Sequence, residues 1–365
     1  MNFNRAVIKV GSALVSPDAN GCSGKYLLAI ARFITECQQA GKEIILVSSG
    51  SVAAGRKLIQ HGSPIPSIPT KQAMASVGQM QMMANWQRFF DVPCSQLLIT
   101  HGDLKDRQRY INIKNTLRIL LANHVIPIVN ENDTVATEEL KVGDNDNLAA
   151  LVALVSEADC LFILSDVNGV YDQDPRNNPD AKLIPEIAEI TDEIYAMAGT
   201  TNNPIATGGM KTKIQAAEKA VENGIETYIL NGSRSDVFDD LLKGKNPGTR
   251  FAPNKEAVRA RKHWLKHTLK SNGQVMLDSG AVNAVVNKGA SLLSSGVQKA
   301  QGKFIAGDSI DIIDSSSNKV IAKGICQYSQ MDLMRIKGCK SEQIIDILGY
   351  CPSKVIIHRD DMVIL

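Results

Sequence analysis

The stretch AVIKVGS at residues 6–12 decides the fold class of this chain. It begins as a nearly continuous apolar run and ends at a glycine and a serine, so it predicts a short strand covered on both faces. Runs of the same kind follow at residues 43–47, 95–100, 125–129, 160–164 and 226–230. Segments with helical periodicity lie between them, as at residues 25–40 and 145–157. This alternation predicts an α/β domain with a mainly parallel sheet sandwiched by helices.

The sequence changes in character after about residue 250. Residues 251–271 are polar and basic, which favours a connector. Short strand-like runs then follow at residues 275–278, 281–286, 309–313, 319–325 and 354–365, separated by turns rich in glycine and serine. We therefore predict an α/β domain at residues 1–252, a linker at 253–271 and a small β-rich domain at 272–365.

The composition predicts a globular chain without a global charge preference. Of its 365 residues, 44% are hydrophobic and 21% are charged, which supports a core and argues against disorder. The net charge of +2 creates no whole-protein field for nucleic acid, membrane or an acidic partner. The seven cysteines include no C-x-x-C pair, and their odd number favours reduced thiols. With neither a signal-like start nor about 18 consecutive apolar residues, we predict a cytoplasmic location and no membrane partner.

Small and polar residues follow several predicted strands, where open α/β sheets bind their ligands. Lys9 lies inside the first strand, and a buried ammonium is costly unless an anion such as phosphate meets it. The alternative is an edge-strand lysine that reaches solvent. Ser49 lies in the small-residue run after the second strand, where main-chain N–H groups can approach a carboxylate or phosphate. An ordinary strand-to-helix turn explains that run almost as well.

A third ligand-binding segment is TGGMKTK at residues 207–213, which begins a stretch with helical periodicity. Glycines at a helix N-terminus favour anion binding. The G-x-x-x-x-G-K-[ST] spacing is absent, which argues against an ordinary P-loop. Together with Lys9, the two lysines of this segment indicate a phosphate clamp, although a solvated helix end would use the same residues.

Two loops rich in short acids and amides follow the fourth predicted strand. They are NEND at residues 130–133 and GDNDN at residues 143–147. Such loops suit the ammonium and carboxylate of a small zwitterion, with their own carboxylates on an ammonium, magnesium or lysine. Helix capping and turns use the same residue types. After the fifth strand, SDVNGVY at residues 165–171 is placed for nucleotide contact or for a turn.

Seven motifs carry a family resemblance: VIKVGS, VSSGSVAAG, INIKNTLRILL, VNENDTVAT, KVGDNDNL, SDVNGVYDQDPR and ATGGMKTK. In this order they resemble the glutamate 5-kinases of the amino acid kinase superfamily. The later segments GASLLSSGV, GDSIDI and ILGY followed by VIIHRDDMV resemble a PUA domain. The resemblance implies the amino acid kinase fold followed by a small PUA-like barrel.

The resemblance also implies roles for individual residues. Lys9 binds the ATP phosphates, Lys213 neutralises the transferred group and Asp146 orients these lysines, so the three form the predicted catalytic set. The positions that hold glutamate are Ser49, Asp133 and Asn145. The nucleotide-binding positions are Lys9, Ser165, Asp166, Thr207, Gly208, Gly209, Met210, Lys211, Thr212 and Lys213. No protein residue is assigned as a metal ligand.

The activity implied by the resemblance is transfer of the γ-phosphoryl group of ATP, with Mg²⁺, to the side-chain carboxylate of glutamate. The product, glutamyl 5-phosphate, is the first intermediate of proline biosynthesis. The resemblance further implies a homo-oligomer, a dimer or a tetramer, with proline as feedback inhibitor and glutamyl phosphate reductase receiving the product.

Two alternatives stay open. Another kinase of the same superfamily would share the glycine loops but should lack the combination of NEND and GDNDN. An RNA-binding factor would instead use the PUA-like domain and the basic stretch at residues 259–270. That stretch has one aromatic residue, Trp264, rather than the interleaved aromatics of a stacking platform, which favours a solvated linker.

Overall fold

The computed structural model describes residues 3–18, 21–60, 62, 65–136, 145–175, 177–197, 209–254 and 271–365. The chain forms two compact units, Met1–Ala257 and Val258–Leu365. The predicted domain limits at residues 252 and 272 stay predictions. Within the described part, no helix combines the length and the apolar character that crossing a membrane requires.

The first unit is built on a mainly parallel sheet. Its strands are β1 (Arg5–Val10), β2 (Glu43–Ser48), β3 (Cys94–Ile99), β4 (Ile126–Glu131), β5 (Cys160–Ser165), β6 (Glu186–Ile187), β7 (Glu226–Asn231) and β8 (Thr249–Phe251). Their order across the sheet is β3-β4-β2-β1-β5-β7-β8-β6. Neighbouring strands run parallel except β7 and β8. The six apolar runs in the sequence correspond to β1 to β5 and β7, so these predictions are confirmed.

Helices cover both faces of this sheet. They are α1 (Ser12–Val15), α2 (Leu27–Gln39), α3 (Ser51–Gly55), α4 (Ile68–Gln87), α5 (His101–Lys105), α6 (Arg107–Ala122), α7 (Asn145–Val155), α8 (Asp192–Met197), α9 (Met210–Val221) and α10 (Ser235–Leu242). Because side chains alternate along a strand, Ile8 of β1 joins the core under α2 and α10, whereas Val7 joins the core under α7 and α9. The predicted sandwich of helices around the sheet is confirmed.

The second unit has its own sheet and core. Its strands are β9 (Gly273–Leu277), β10 (Val297–Gly302), β11 (Ser309–Asp314), β12 (Val320–Ile325) and β13 (Met362–Ile364), in the order β10-β9-β11-β12-β13. Its helices are α11 (Ser279–Lys288), α12 (Gln330–Ile336) and α13 (Ile344–Leu348). Strands β9 and β11 pair in parallel, and the other pairs are antiparallel.

Two strand predictions in this unit are wrong. Residues 281–286 belong to helix α11, which starts where the Asp278 side chain accepts a hydrogen bond from the backbone N–H of Ala281. The helix ends at Gly289, whose φ of 60° is left-handed. The apolar residues 281, 282 and 285 therefore follow helical spacing rather than alternation. Within residues 354–365, only Met362–Ile364 form a strand.

Candidate active site

Lys9 occupies a central position of the sheet. Its strand β1 pairs with β2 on one side and with β5 on the other, and only 5% of the residue is exposed. The alternative of an edge-strand lysine that reaches solvent is therefore wrong. Since Lys9 alternates with Ile8, its side chain lies on the face covered by α7 and α9. A buried ammonium in this position requires an anionic partner.

That partner is Asp146, at the start of α7. Its Oδ1 lies 2.5 Å from Nζ of Lys9, and its Oδ2 accepts a hydrogen bond of 2.9 Å from Nζ of Lys213 in α9. Asp146 is 2% exposed and Lys213 is 5% exposed. Burial by itself raises the pKa of the Asp146 carboxyl, but the charges of Lys213 and Lys9 and their hydrogen bonds outweigh it, so its pKa lies well below the ordinary value. Two lysines on one carboxylate leave a net positive charge.

The beginning of α9 adds backbone donors beside Lys213. The N-cap residue is Gly209, which has no side chain that could accept a hydrogen bond from the N–H groups of the first turn. The Thr212 hydroxyl donates to Asp146 Oδ2 at 3.0 Å, which ties this turn to the lysine pair. Met210 and Lys211 occupy the same first turn. A helix N-terminus next to two lysines fits a phosphate group.

The remaining nucleotide-binding predictions lie partly at the end of β5. The Ser165 hydroxyl donates to Asp166 Oδ1 at 3.0 Å, and Ser165 follows Leu164, the residue of β5 that pairs with Val10 of β1. The side chain of Asn231 at the end of β7 donates to the Asp166 carbonyl oxygen. These two residues therefore lie at the same edge of the sheet as the end of β1. Thr207 and Gly208 lie outside the described residues.

An amide and hydroxyl cluster follows β2 and β4. Asn145 Nδ2 donates to Ser49 Oγ at 2.8 Å and to Asn130 Oδ1 at 2.9 Å. Asn145 immediately precedes Asp146 on α7, so this cluster adjoins the charged one. Two of the residues predicted to hold glutamate, Ser49 and Asn145, are thus in direct contact.

Asp133, the third residue predicted to hold glutamate, lies in the turn after β4. Its Oδ2 accepts a hydrogen bond of 2.7 Å from the hydroxyl of Ser51, two residues after Ser49. Burial raises the pKa of the Asp133 carboxyl above its ordinary value, although the Ser51 hydrogen bond acts in the opposite direction. Among the described residues no cationic side chain pairs with this partly buried carboxylate, which suits a ligand ammonium.

Gly50 permits the close approach of these loops. It precedes α3 with a left-handed φ of 106°, and a Cβ there would lie 3.0 Å from the side chain of Val15. The Ser49 backbone N–H donates to the Val10 carbonyl oxygen at 3.0 Å, which joins the ends of β1 and β2. The strand ends thus form one continuous surface, with lysines on one part and amides and hydroxyls on the other.

Across the described ranges, no group of three or more His, Cys, Asp or Glu side chains could hold a metal ion. The carboxylate of Asp146 is engaged by two ammonium groups. Two ammonium groups around one carboxylate suit an anionic ligand such as a phosphate group.

Comparison with known proteins identifies the family. The sequence model of the amino acid kinase family matches residues 4–231. The chain is 52% identical over 364 residues to "Glutamate 5-kinase" of Idiomarina loihiensis, covering 100% of this chain and 98% of that protein. The chain belongs to the glutamate 5-kinase family. Other members include those of Salinibacter ruber, at 50% identity with coverage of 100% and 98%, and Xanthomonas euvesicatoria, at 44% with coverage of 98% and 100%. The PUA domain model matches residues 273–348.

The site of this glutamate 5-kinase also contains two polar residues that were not among the site residues predicted from the sequence. Asn130 contacts Asn145, and Ser51 contacts Asp133. Asn130 belongs to the NEND segment, but it is 1% exposed because it lies within strand β4. The sequence feature that could have identified Asn130 is a polar side chain within an otherwise apolar strand, as is the case for Lys9 in β1. Ser51 carried no comparable signal, because serine is common at helix starts.

Proposed function

We propose that this protein phosphorylates the γ-carboxylate of L-glutamate with ATP to give L-glutamyl 5-phosphate, the first step of proline biosynthesis. The observation that carries this proposal is the pair of buried lysines that share the Asp146 carboxylate at the strand ends. This pair adjoins a cluster that presents hydroxyl, amide and carboxylate groups to a small zwitterion. Family membership supports the choice of glutamate.

The chemistry requires no general base. A glutamate carboxylate is ionised near neutral pH and is already a nucleophile, so the barrier comes from the approach of one anion to another. One carboxylate oxygen forms a bond to the γ-phosphorus while the bond to the β,γ-bridging oxygen breaks, and ADP leaves with that electron pair. Positioning and electrostatic stabilisation therefore provide the catalysis.

Each charged residue has a distinct part in this scheme. Lys9 meets the ATP phosphates and Lys213 stabilises the charge on the transferred group. Asp146 holds both ammonium groups in place without neutralising their sum. Backbone N–H groups at the start of α9 add donors for the phosphates. Mg²⁺ bound together with the nucleotide would further neutralise the phosphates.

The hydroxyl, amide and carboxylate groups after β2 and β4 bind glutamate, the phosphoryl acceptor. Ser49 donates its hydroxyl hydrogen to the α-carboxylate of glutamate, because its oxygen already accepts from Asn145. Asn145 Oδ1 and the Asp133 carboxylate accept from the α-ammonium group. Ser165 and Asp166 contact the nucleotide together with the start of α9.

Further predictions accompany the proposed activity. They are a cytoplasmic homo-oligomer, inhibition by proline and handover of the labile acyl phosphate to glutamyl phosphate reductase. RNA binding by the PUA-like domain also stays a prediction, and a salt-dependent titration of the full chain with RNA tests it.

A hydroxamate assay tests the proposed activity. Hydroxylamine traps an acyl phosphate, and coupled detection of ADP measures phosphoryl transfer independently. Glutamate, aspartate, N-acetylglutamate and UMP are compared as acceptors at equal concentrations of ATP and Mg²⁺. We expect hydroxamate and ADP to form in equal amounts with glutamate alone. Activity confined to another acceptor would overturn the proposal.

A further inference from the structure

Gln79 is a buried amide in the middle of α4. It is 7% exposed, and its neighbours on the buried face of the helix include Ala75 and Met82. Its Oε1 accepts a hydrogen bond of 2.8 Å from Nδ2 of Asn130. Its Nε2 is buried and has no hydrogen-bond partner among the described residues. Burying a donor without a partner costs free energy.

The bond to Asn130 is the first of a chain of side-chain hydrogen bonds. Asn130 turns its Nδ2 towards Gln79, and its Oδ1 accepts from Nδ2 of Asn145. Asn145 Nδ2 donates its second hydrogen to Ser49 Oγ. Asn145 and Asn130 are thus the donors in this chain of hydrogen bonds. Gln79 accepts at one end and Ser49 accepts at the other.

The direction of this chain decides what the site presents to a ligand. Both hydrogens of Asn145 Nδ2 are donated to protein acceptors, so only Asn145 Oδ1 remains to bind a ligand. Because Ser49 Oγ accepts from Asn145, the Ser49 hydroxyl hydrogen remains as a donor. Reversing the Asn130 amide would place its donor against the Asn145 donor and its oxygen against the Gln79 oxygen, so both neighbouring amides would have to turn with it.

We infer that Gln79 is a positioning residue that holds the Asn130 side chain and, through it, Asn145 and Ser49 in the arrangement that contacts an α-amino acid. It acts through Asn130 and does not itself touch the substrate. Asn145 then offers an acceptor to the ammonium group and Ser49 offers a donor to the carboxylate. This inference rests on the proposed function, since it names the determinant of acceptor binding in the same site.

The test is a comparison of steady-state kinetics in the full-length protein. Gln79→Met preserves the length of the side chain and removes the acceptor for Asn130. We expect the KM for glutamate to rise about tenfold, the change that the loss of one oriented hydrogen bond produces. The KM for ATP should stay the same, and kcat should change much less than the KM for glutamate. Gln79→Glu keeps a carbonyl acceptor for Asn130 and should restore most of the affinity.

Asn85→Leu is the matched control. Asn85 is also 7% exposed on α4, but its Nδ2 donates to the carbonyl oxygen of Ser23, outside the chain of amides. Loss of a buried amide from α4 should therefore change thermal stability without changing the KM for glutamate. If Gln79→Met does not fold, Gln79→Asn is used, because its amide is one methylene too short to keep the bond to Asn130.

The outcomes separate the inference from the proposed function. If the wild-type protein forms no ADP with glutamate, the proposed function fails. If the wild-type protein is active and neither Gln79→Met nor Gln79→Asn changes the KM for glutamate, the inference fails and the proposed function stands. An equal rise in KM for Asn85→Leu would also overturn the inference, because the effect would then be structural.

Discussion

Gly78 of α4 packs directly against the carbonyl oxygen of Ser51 in α3. A Cβ at residue 78 would lie 1.9 Å from that oxygen and 2.5 Å from the backbone nitrogen of Gly55. Gly55 in turn leaves no room for a side chain, since a Cβ there would lie 1.9 Å from the Met74 carbonyl oxygen. The two helices therefore touch backbone to backbone. This contact places Gln79 beside the loop that carries Ser49 and Ser51.

Gly78→Ala should accordingly destabilise the protein. Alanine favours a helix over glycine by about 1 kcal/mol, but the added methyl group must displace the α3 backbone. Overpacking of this kind costs about 1–3 kcal/mol, and the backbone contact places this site at the upper end. Chemical denaturation measures the free energy of unfolding. Gly62→Ala is the control, because a Cβ at Gly62 meets nothing within 4 Å and should change stability by less than about 0.5 kcal/mol. Equal values for the two variants would contradict the packing argument.

The strands that position the site were predictable, because strands buried on both faces of a parallel sheet leave continuous apolar runs. Lys9 within such a run indicates an anionic partner, since a charge in a buried strand needs one. The identity of that partner was not readable from the residues alone. Asp146 and Lys213 are 67 positions apart and meet only because α7 and α9 cover the same face of the sheet.

The errors have physical causes as well. Residues 281–286 include three valines, which favour a strand, but the Asp278 cap and Gly289 set the limits of a helix there. The contact between α3 and α4 left no signal either, because SVAAG and ASVG are ordinary runs of small residues. Only the folded backbone shows that Gly78 and Gly55 face each other.

Asp146→Asn should strongly destabilise the protein at neutral pH. It removes the carboxylate that both buried ammonium groups share, and breaking a buried ionic group in this way costs about 3–5 kcal/mol. Asp236→Asn is the control, since the pair of Arg234 and Asp236 is exposed and its attraction is screened by solvent. Denaturant unfolding at pH 7 compares the two variants. A loss for Asp146→Asn no larger than the loss for Asp236→Asn would contradict the assigned electrostatics.

The effect of Asp146→Asn should also depend on pH. The folded-state pKa of Asp146 lies below the ordinary aspartate value of about 3.9. The stability that its ionisation contributes is therefore fully present above that ordinary value and is lost as the pH falls through the folded pKa. The difference in unfolding free energy between wild type and variant should shrink as the pH is lowered below about 4. A difference that stays constant with pH would contradict this account.

Asp133→Asn should have the opposite effect on stability. The pKa of Asp133 is raised in the folded protein, so its stabilising contribution is present below the ordinary pKa and is lost as the pH rises through the folded value. At pH 7 the variant should be more stable than the wild type, by less than about 1 kcal/mol because solvent screens this partly buried group. Below about pH 4 the gain should vanish, since the carboxyl is then protonated in both states.

The same Asp133→Asn variant should bind glutamate less well, because a neutral amide replaces the carboxylate that meets the ammonium group. Thermal unfolding between pH 4 and pH 8 measures the stability, and the KM for glutamate measures the binding. Greater stability with an unchanged KM would remove Asp133 from the acceptor site. Lower stability at pH 7 would contradict the burial argument.

Lys213→Ala should lower kcat far more than it weakens glutamate binding. Lys213 lies beside Asp146 at the start of α9, where its charge acts on the transferred phosphoryl group rather than on the ground-state acceptor. Removing one such electrostatic contact typically lowers kcat by about 10²–10³-fold. Lys245→Ala is the control, because Lys245 is an exposed lysine paired with Asp240. Coupled ADP release gives kcat, and glutamate titration gives KM. Near-wild-type turnover of Lys213→Ala, or a rise confined to the KM for glutamate, would contradict the role assigned to this lysine, because a contact made only in the transition state changes kcat and kcat/KM together.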